Sequence, residues 1–466
     1  MLYSNPFHAV FADDANDFDT NGRAFVPEVW AAESLMVLEA NMVAVNLVHR
    51  DFENEIKEQG DVVNTRRPGT FTANRKTVSD EVSVQSATAD RVQVKLDQHL
   101  ETTFIIYDSE MSKSMSDLVT EYLTPAVKSI AQAADQVVLG QVYEFMGNSV
   151  GKLGTDITKS TIINANTLMN QNNVPAEFGD RKMILTPGAE GALLNVQDFT
   201  RVNEAGDGGA ALVRASLGSK FNYDFFMSQN APSIASSQTT LAAAINLGAG
   251  YAAGTTTMVI DSYSGTLVVG AWCTIAGDMV PQQITAVTGS PSTTGITVTP
   301  GLKTAVVDSA VITIYPTSTV DLVGGYDAGY TKAIATAAFS EAPLAGQLTS
   351  FGATTGRYSA IGAPTTTSVL LNHSTDAALS NSDVAAIGPA GDYCFGFHKN
   401  AISFVNRPLA TVSPEYGVMQ AVASYNGLSI RVSMQYQQRQ QGMMITVDCL
   451  CGVKTLDADL GVVVYA

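Results

Sequence analysis

An α+β fold interrupted by an all-β insertion is the class that this 466-residue sequence predicts. Two stretches, Pro27 to Val48 and Ser116 to Met146, carry apolar residues at helical spacing. Others, such as RVQVKLD at Arg91 to Asp97 and GLSIRVSMQY at Gly427 to Tyr436, alternate apolar and polar as half-buried strands do. Ser233 to Ala390 is different in kind. It holds only eight acidic and three basic residues in 158 positions, and its short β-branched runs are separated by turn residues.

In chain order, residues 1 to 27 read as an irregular acidic arm. PEVWAAESLMVLEANMVAVNLV then places Trp30, Leu35, Leu38, Met42, Val45 and Val48 on one helical stripe, with Pro27 near the start. A mostly polar section follows from Asp51 to Thr103, broken by a turn at Pro68-Gly69. Two long, thinly cored strands there make an extended arm. A lone two-stranded hairpin is marginal in water, so the arm implies a partner to lie on.

SDLVTEYLTPAVKSIAQAADQVVLGQVYEFMG predicts the best helix, with Leu118, Tyr122, Ile130, Ala134, Val137, Gln141 and Phe145 on one stripe and Pro125 kinking or dividing it. RKMILTPGAEGALL reads as a short buried strand, a turn and a helix start, and EAGDGG, Glu204 to Gly209, as a flexible loop. TTTMVI, TLVVGAWCTIAG, PQQITAV, GITVTP and AVITIYP have the spacing of a small barrel or sandwich. Residues 317 to 390 read as loop-rich packing against it.

After Gly391 a hairpin is predicted across QQRQQG, with Leu428, Ile430, Val432 and Met434 facing Ile445, Val447, Cys449 and Cys451. LGVVVYA closes the chain. The expected organisation is an arm and first helix (1–50), an extended loop (51–108), a helix-bearing domain (109–180), the first part of a second domain (181–232), the inserted β-rich domain (233–390) and return strands of both host domains (391–466).

Charge narrows the function. The chain has 26 Lys+Arg against 44 Asp+Glu, a formal net charge of -18. Such an excess of acid disfavours tight, non-specific contact with DNA or anionic lipid. Charged residues are only 15% of the chain, against about 25% in ordinary soluble domains, which suits a protein that hides much surface in assembly. Four scattered cysteines do not make a disulfide framework. No apolar run approaches the ~18 to 20 residues of a membrane helix, and no signal peptide is visible, so a soluble, reduced, cytosol-made protein is expected.

Catalytic and metal signatures are thin. His8, His49, His99, His373 and His398 stand in no metal-binding spacing, and no G-x-S-x-G elbow or G-x-x-x-x-G-K-[ST] loop occurs. GDGGAALVRASLG resembles a phosphate loop only loosely. Cys449 and Cys451 read as small hydrophobes on a buried strand face. DFDTNGRAFVPE fits the calcium-loop pattern, with Asp17, Asp19, Asn21 and Glu28 as oxygen ligands and Gly22 at the sharp turn. The segment before it is a poor entering helix and no second loop exists, so an acidic, solvated arm is the stronger reading. No catalytic residue, cofactor or metal is expected.

One short stretch runs against the acidic balance. RRPGTFTANRK carries Arg66, Arg67, Arg75 and Lys76 around Phe71, with no acidic residue between Val62 and Lys76. One aromatic among four cations is a weak nucleic-acid patch. A solvated turn is the bland reading. The third is a contact between subunits, in which cations at the end of an arm meet acidic groups, such as those of DDANDFD, on a neighbour.

The order of elements resembles the major capsid proteins of tailed bacteriophages, in the branch that carries an inserted β domain. The resemblance lies in FVPEVWAAESLMVLEANMVAVNLVHRDFENEIKEQGDVVNTRRPG, KSIAQAADQVVLGQVY and SLGSKFNYDFFMSQNAP, and returns in FHKNAISFVNRPL, YNGLSIRVSMQY and TVDCLCGVKTLDADLGVVV. It covers most of the chain outside the insertion. It implies an N-terminal arm, an extended loop lying across the adjacent subunit, a peripheral domain with a long spine helix, and an axial domain. It further implies pentamers and hexamers in an icosahedral virion shell, assembled in the host cytoplasm around a scaffold, with a portal at one vertex and decoration proteins in some members. Such a shell encloses double-stranded DNA without reading its sequence. Some relatives cross-link a loop Lys to a neighbour's Asn. Lys76 and Lys95 lie in the corresponding loop, but nothing marks a partner, and no cross-link is expected.

Two other classes compete. Bacterial nanocompartments use the same shell fold around cargo enzymes, and fold does not fix function. A β-rich surface-layer or adhesin subunit suits the Thr- and Ala-rich insertion but calls for a secretion signal.

Overall fold

The computed structural model describes residues 27–50, 62–67, 73–76, 90–109, 119–177, 179–200, 217–235, 240–261, 263, 267–290, 293–322, 324–330, 334–352, 354–412, 417–425 and 428–466. The acidic arm and three of the four calcium-loop ligands, Asp17, Asp19 and Asn21, lie outside them. Glu28 is exposed on the first helix. The described chain is α+β and divides into two compact units.

The smaller unit comprises Met1–Asn41, His99–Ala131 and Arg407–Cys449. Its helix Pro27–Asn41 buries Trp30, Ala31, Leu35 and Leu38 at the predicted spacing and packs on the strands Met419–Tyr425 and Leu428–Gln437. Leu428–Gln437 pairs with Gly442–Thr455 across the expected turn, with Val432 opposite Val447 and Met434 opposite Ile445. All four are fully buried, so alternation set the register. On the other face Asp448 is buried between Arg431 and His99. Arg431 Nε donates to its Oδ1 at 3.0 Å, and His99 Nε2 lies 3.1 Å from its Oδ2.

The larger unit contains Met42–Gln98, Gln132–Asn406 and Leu450–Ala466. Its main sheet runs Ser149–Gly151, Gly461–Tyr465, Gly391–His398, Arg181–Leu185, Tyr223–Met227 and Ser219–Lys220. The helices Lys159–Gln171 and Pro187–Leu194 cover it with a core that includes Ile162, Met169, Leu193, Phe199 and Val464. Thr158 and Thr186 cap these helices, each hydroxyl accepting the backbone N–H three residues on. Arg181 is fully buried on neutral acceptors: its guanidinium donates to the carbonyls of Pro175 and Val174, at 3.0 and 2.6 Å, and to Asn166 Oδ1.

Ser233–Ile234 pairs antiparallel with Gly391–Asp392 on this sheet. The chain therefore leaves and re-enters at neighbouring hydrogen-bonded positions. In between, six antiparallel strands close a barrel in the order Thr257–Asp261, Thr293–Thr299, Gln282–Ser290, Trp272–Ile275, Val311–Ile314 and Leu241–Ile245. Ile245, Met258, Ile260, Ile275, Ile284, Ile296 and Ile312 fill it. Trp272 points the other way: it is also buried, donates Nε1–H to Ser350 Oγ at 2.8 Å and lies under the Arg357 guanidinium. Lys303 Nζ binds Ser149 Oγ at 2.6 Å. Residues 317–387 form short strands around Phe351, Tyr358, Leu371 and Ile387, so this loop-rich stretch has a core of its own.

The predicted long helix is cut in three. Val119–Leu123 is a π turn, Thr124–Leu139 is α-helical and Gly140–Phe145 tightens to 3₁₀. Pro125 sits in the first α-helical turn, where its missing N–H is no loss. The first helix is also shorter than its apolar stripe. It ends at Asn41, and Met42 to Val48 folds into a turn. The cause is Asp135, fully buried on the long helix, which accepts the N–H groups of Val43 (2.9 Å) and Val45 (3.2 Å). Such a nest of backbone donors around one carboxylate is incompatible with a continuing helix.

Burial raises the Asp135 carboxyl from 3.8 to about 6, against the pull of the Val43, Val45 and Ala44 N–H groups. A carboxyl whose folded pKa is raised favours the folded state most below pH 4 and loses that contribution as pH rises to 6. The stability of the native chain relative to Asp135→Asn, from urea unfolding, should fall by about 3 kcal/mol between pH 3 and pH 7, about 2 kcal/mol of it between pH 4 and pH 6, and stay level above.

Candidate functional site

The basic stretch belongs to a two-stranded arm. Val62–Arg67 pairs antiparallel with Asp90–Lys95, and no third strand joins them among the described residues. Arg66 stands opposite Arg91, Arg67 opposite Asp90 and Val62 opposite Lys95. Arg75 and Lys76 are exposed. Phe71 lies outside the described residues. The structure thus brings Arg66 and Arg67 onto one strand and leaves Arg75 and Lys76 beyond it.

Among the described residues the arm packs at its root. Val94 and Leu96 are buried against Val405 and Leu450. Gly452 passes so close that a Cβ there would lie 2.0 Å from the Lys95 carbonyl oxygen. Just past the root, Asp97 Oδ2 accepts the Ser374 N–H at 2.7 Å, and Gln98 Nε2 donates to the Leu371 carbonyl.

A cleft of about 200 Å³ opens beside this root, lined among others by Lys95, Asp97, Glu144, His373, Asp376 and Lys454. Glu144 comes from the 3₁₀ turn after the long helix, and its Oε1 accepts the Arg357 N–H at 2.8 Å. Burial raises its carboxyl, which that N–H and Lys454 only partly offset. Burial, helped by Lys454, pushes His373 down to about 3, so its imidazole is neutral at pH 7. Its Nδ1 lies 3.0 Å from Gln141 Nε2. Burial also pushes Asp376 up, but donors from Thr355, Tyr358 and Gly356 outweigh it and hold the carboxyl low. Burial raises Asp97 as well.

Sequence reasoning did not find this cleft. Its walls come from five separated stretches, and none of them carries a motif. The cleft brings neutral histidine, carboxylates and ammonium groups together, but Glu144 Oε1 and His373 Nε2 are 3.9 Å apart, beyond a hydrogen bond. No group of three or more metal-ligating side chains occurs among the described residues. Cys273 and Cys394 are poor nucleophiles at neutral pH, because burial pushes their thiols to about 12. Cys449 and Cys451 are buried.

No family model and no curated protein matches the chain. Among solved structures it is similar to one of Mycobacterium phage Che8, with 11% identity over 91% of this chain and 90% of that one and a TM-score of 0.44. It is likewise similar to the capsid structure of the cyanophage P-SCSP1u, with 11% identity over 88% and 84% of the chains and a TM-score of 0.40. A third is the mature capsid of bacteriophage PhiM1, with 10% identity over 88% and 83% and a TM-score of 0.40. Likenesses this distant carry no argument about what the chain does.

Gly452→Ala tests the root. The added methyl must displace the Lys95 carbonyl, so the variant should lose about 1–3 kcal/mol in urea unfolding. Amide exchange should accelerate at Val94 to Leu96 before the barrel strands respond.

Proposed function

We propose that this chain is a shell-forming structural protein, the major capsid protein of a tailed bacteriophage, and that it encloses double-stranded DNA without catalysing a reaction. The observation that carries the reading is the arm: a strand pair rooted in the larger unit and supported beyond that root by no third strand among the described residues. Such a pair becomes stable when a neighbouring subunit supplies the missing surface. The ordered series of sequence segments that resembles tailed-phage capsid proteins supports it, as does a chain with few charges and a net charge of -18, which would not grip a packaged genome.

In this reading the partners are copies of the same chain in hexamers and pentamers, with a scaffolding protein and a portal during assembly in the host cytoplasm, and decoration proteins afterwards. The excursion from Ser233 to Ala390 serves as an inserted domain that steadies contacts within or between capsomers. Arg66, Arg67, Phe71, Arg75 and Lys76 form the contact that the arm makes with the adjacent subunit. A nanocompartment shell is the second reading, and what the particles contain separates the two.

Overexpressed chain examined by electron microscopy and light scattering should give closed or aberrant polyhedral particles, or discrete hexamers and pentamers. A monomer of about 49 kDa that never assembles, with or without scaffold, would end the proposal. Reversing charge at Arg66→Glu with Arg67→Glu should cut the yield of particles on the order of tenfold, equivalent to about 1.4 kcal/mol per contact. Unchanged yield would remove these residues from the interface.

A further inference from the structure

The cleft beside the arm root holds a charge imbalance that its own residues leave open. Asp97, Glu144 and Asp376 line it with Lys95 and Lys454, and Glu144 has the charges of Lys454 and Arg357 beside it, which leaves Asp97 as the carboxylate without a counter-charge. Asp376 is fully engaged, by the N–H groups of Thr355 and Gly356 and by the hydroxyls of Thr355 and Tyr358. Asp97 is engaged on one side only. Its Oδ2 takes the Ser374 N–H, while Oδ1 is buried with no donor among the described residues. A buried acceptor without a donor is costly, and a cation brought to Asp97 removes that cost together with the imbalance. The residue is only half-buried, so its carboxylate can turn to meet an incoming group.

We infer that the cleft receives the Arg75 guanidinium from the arm of a second copy of this chain. Resting on the shell reading, this contact would lock each arm against the root of the next. Charge complementarity selects the occupant: Arg75 and Lys76 are exposed, and the stretch from Val62 to Lys76 contains four cations and no acid. Arginine suits the cleft better than lysine because its planar fork of donors can meet Asp97 and Glu144 together. A chain with one arm and one cleft makes a head-to-tail contact, the kind that closes rings.

The test is a double-substitution cycle on assembly of the full chain, with Arg75→Gln, Asp97→Asn and both combined. The amide that Asp97→Asn introduces keeps an oxygen for the Ser374 N–H. Each single change should raise the concentration needed for assembly about tenfold, and the combination should raise it no further than either alone. Effects that multiply in the combination, or no effect of Arg75→Gln, overturn the contact. Should Asp97→Asn fail to fold, a photo-crosslinking residue at position 75, mixed with isotope-labelled native copies, decides instead. Links between copies to the 93–97, 373–376 or 453–454 segments support the contact, and links elsewhere overturn it. Normal shells with links elsewhere refute only this contact, whereas a native chain that forms no shell refutes the shell reading and the contact with it.

Discussion

The larger unit depends on one strand, Gly391–His398. It lies between Gly461–Tyr465 and Arg181–Leu185, and its first residues pair with Ser233–Ile234. One strand thus ties together three parts of the chain that are remote in sequence. Its side chains match that position: Tyr393, Cys394, Phe395 and Phe397 are all buried, and Gly396 admits Met183, Val462 and Tyr223. The whole span between Ile234 and Gly391 can exist because its two ends meet there. Loop-closure entropy grows only slowly with length, so a long excursion costs little more than a short one once its ends are fixed.

Polar side chains then do what the sheet cannot. Asp135 reaches back some ninety positions to stop a helix, Arg181 satisfies three neutral acceptors after another, and Asp448 holds Arg431 and His99 on a strand face. Each is a buried ionisable group whose partners leave it little freedom. Replacing any of them with a shorter neutral residue strands the groups it satisfies, which is why so sparsely charged a chain retains them.

Much of this was legible in the sequence, for reasons that differ by element. The hairpin around QQRQQG and the barrel strands obey a period of two, and burial on one face enforces it. The first helix was read as too long because Met42, Val45 and Val48 continue its apolar stripe. They are buried as predicted, but through a turn imposed by Asp135, which local pattern cannot reveal. The core within residues 317–387 does not show in the sequence because its strands are as short as two residues, and Tyr330 and Phe339 fall between them. The arm was readable from its polarity. The facing of Arg66 and Arg91 was not, since register is a property of two strands. The cleft was invisible for the same reason: Asp97, Glu144, His373 and Lys454 become neighbours only when the fold is complete.

The barrel closes on itself, Leu241–Ile245 bonding both Val311–Ile314 and Thr257–Asp261. Every strand in it has two neighbours, so it offers no open row of backbone donors and acceptors. Where a protein is repeated many times over a surface, local concentration is far above anything in dilute solution, and an open sheet edge would recruit the next copy and polymerise. A closed barrel gives a second copy no sheet edge to extend. It can be crowded without fusing, which leaves the choice of neighbour to side chains.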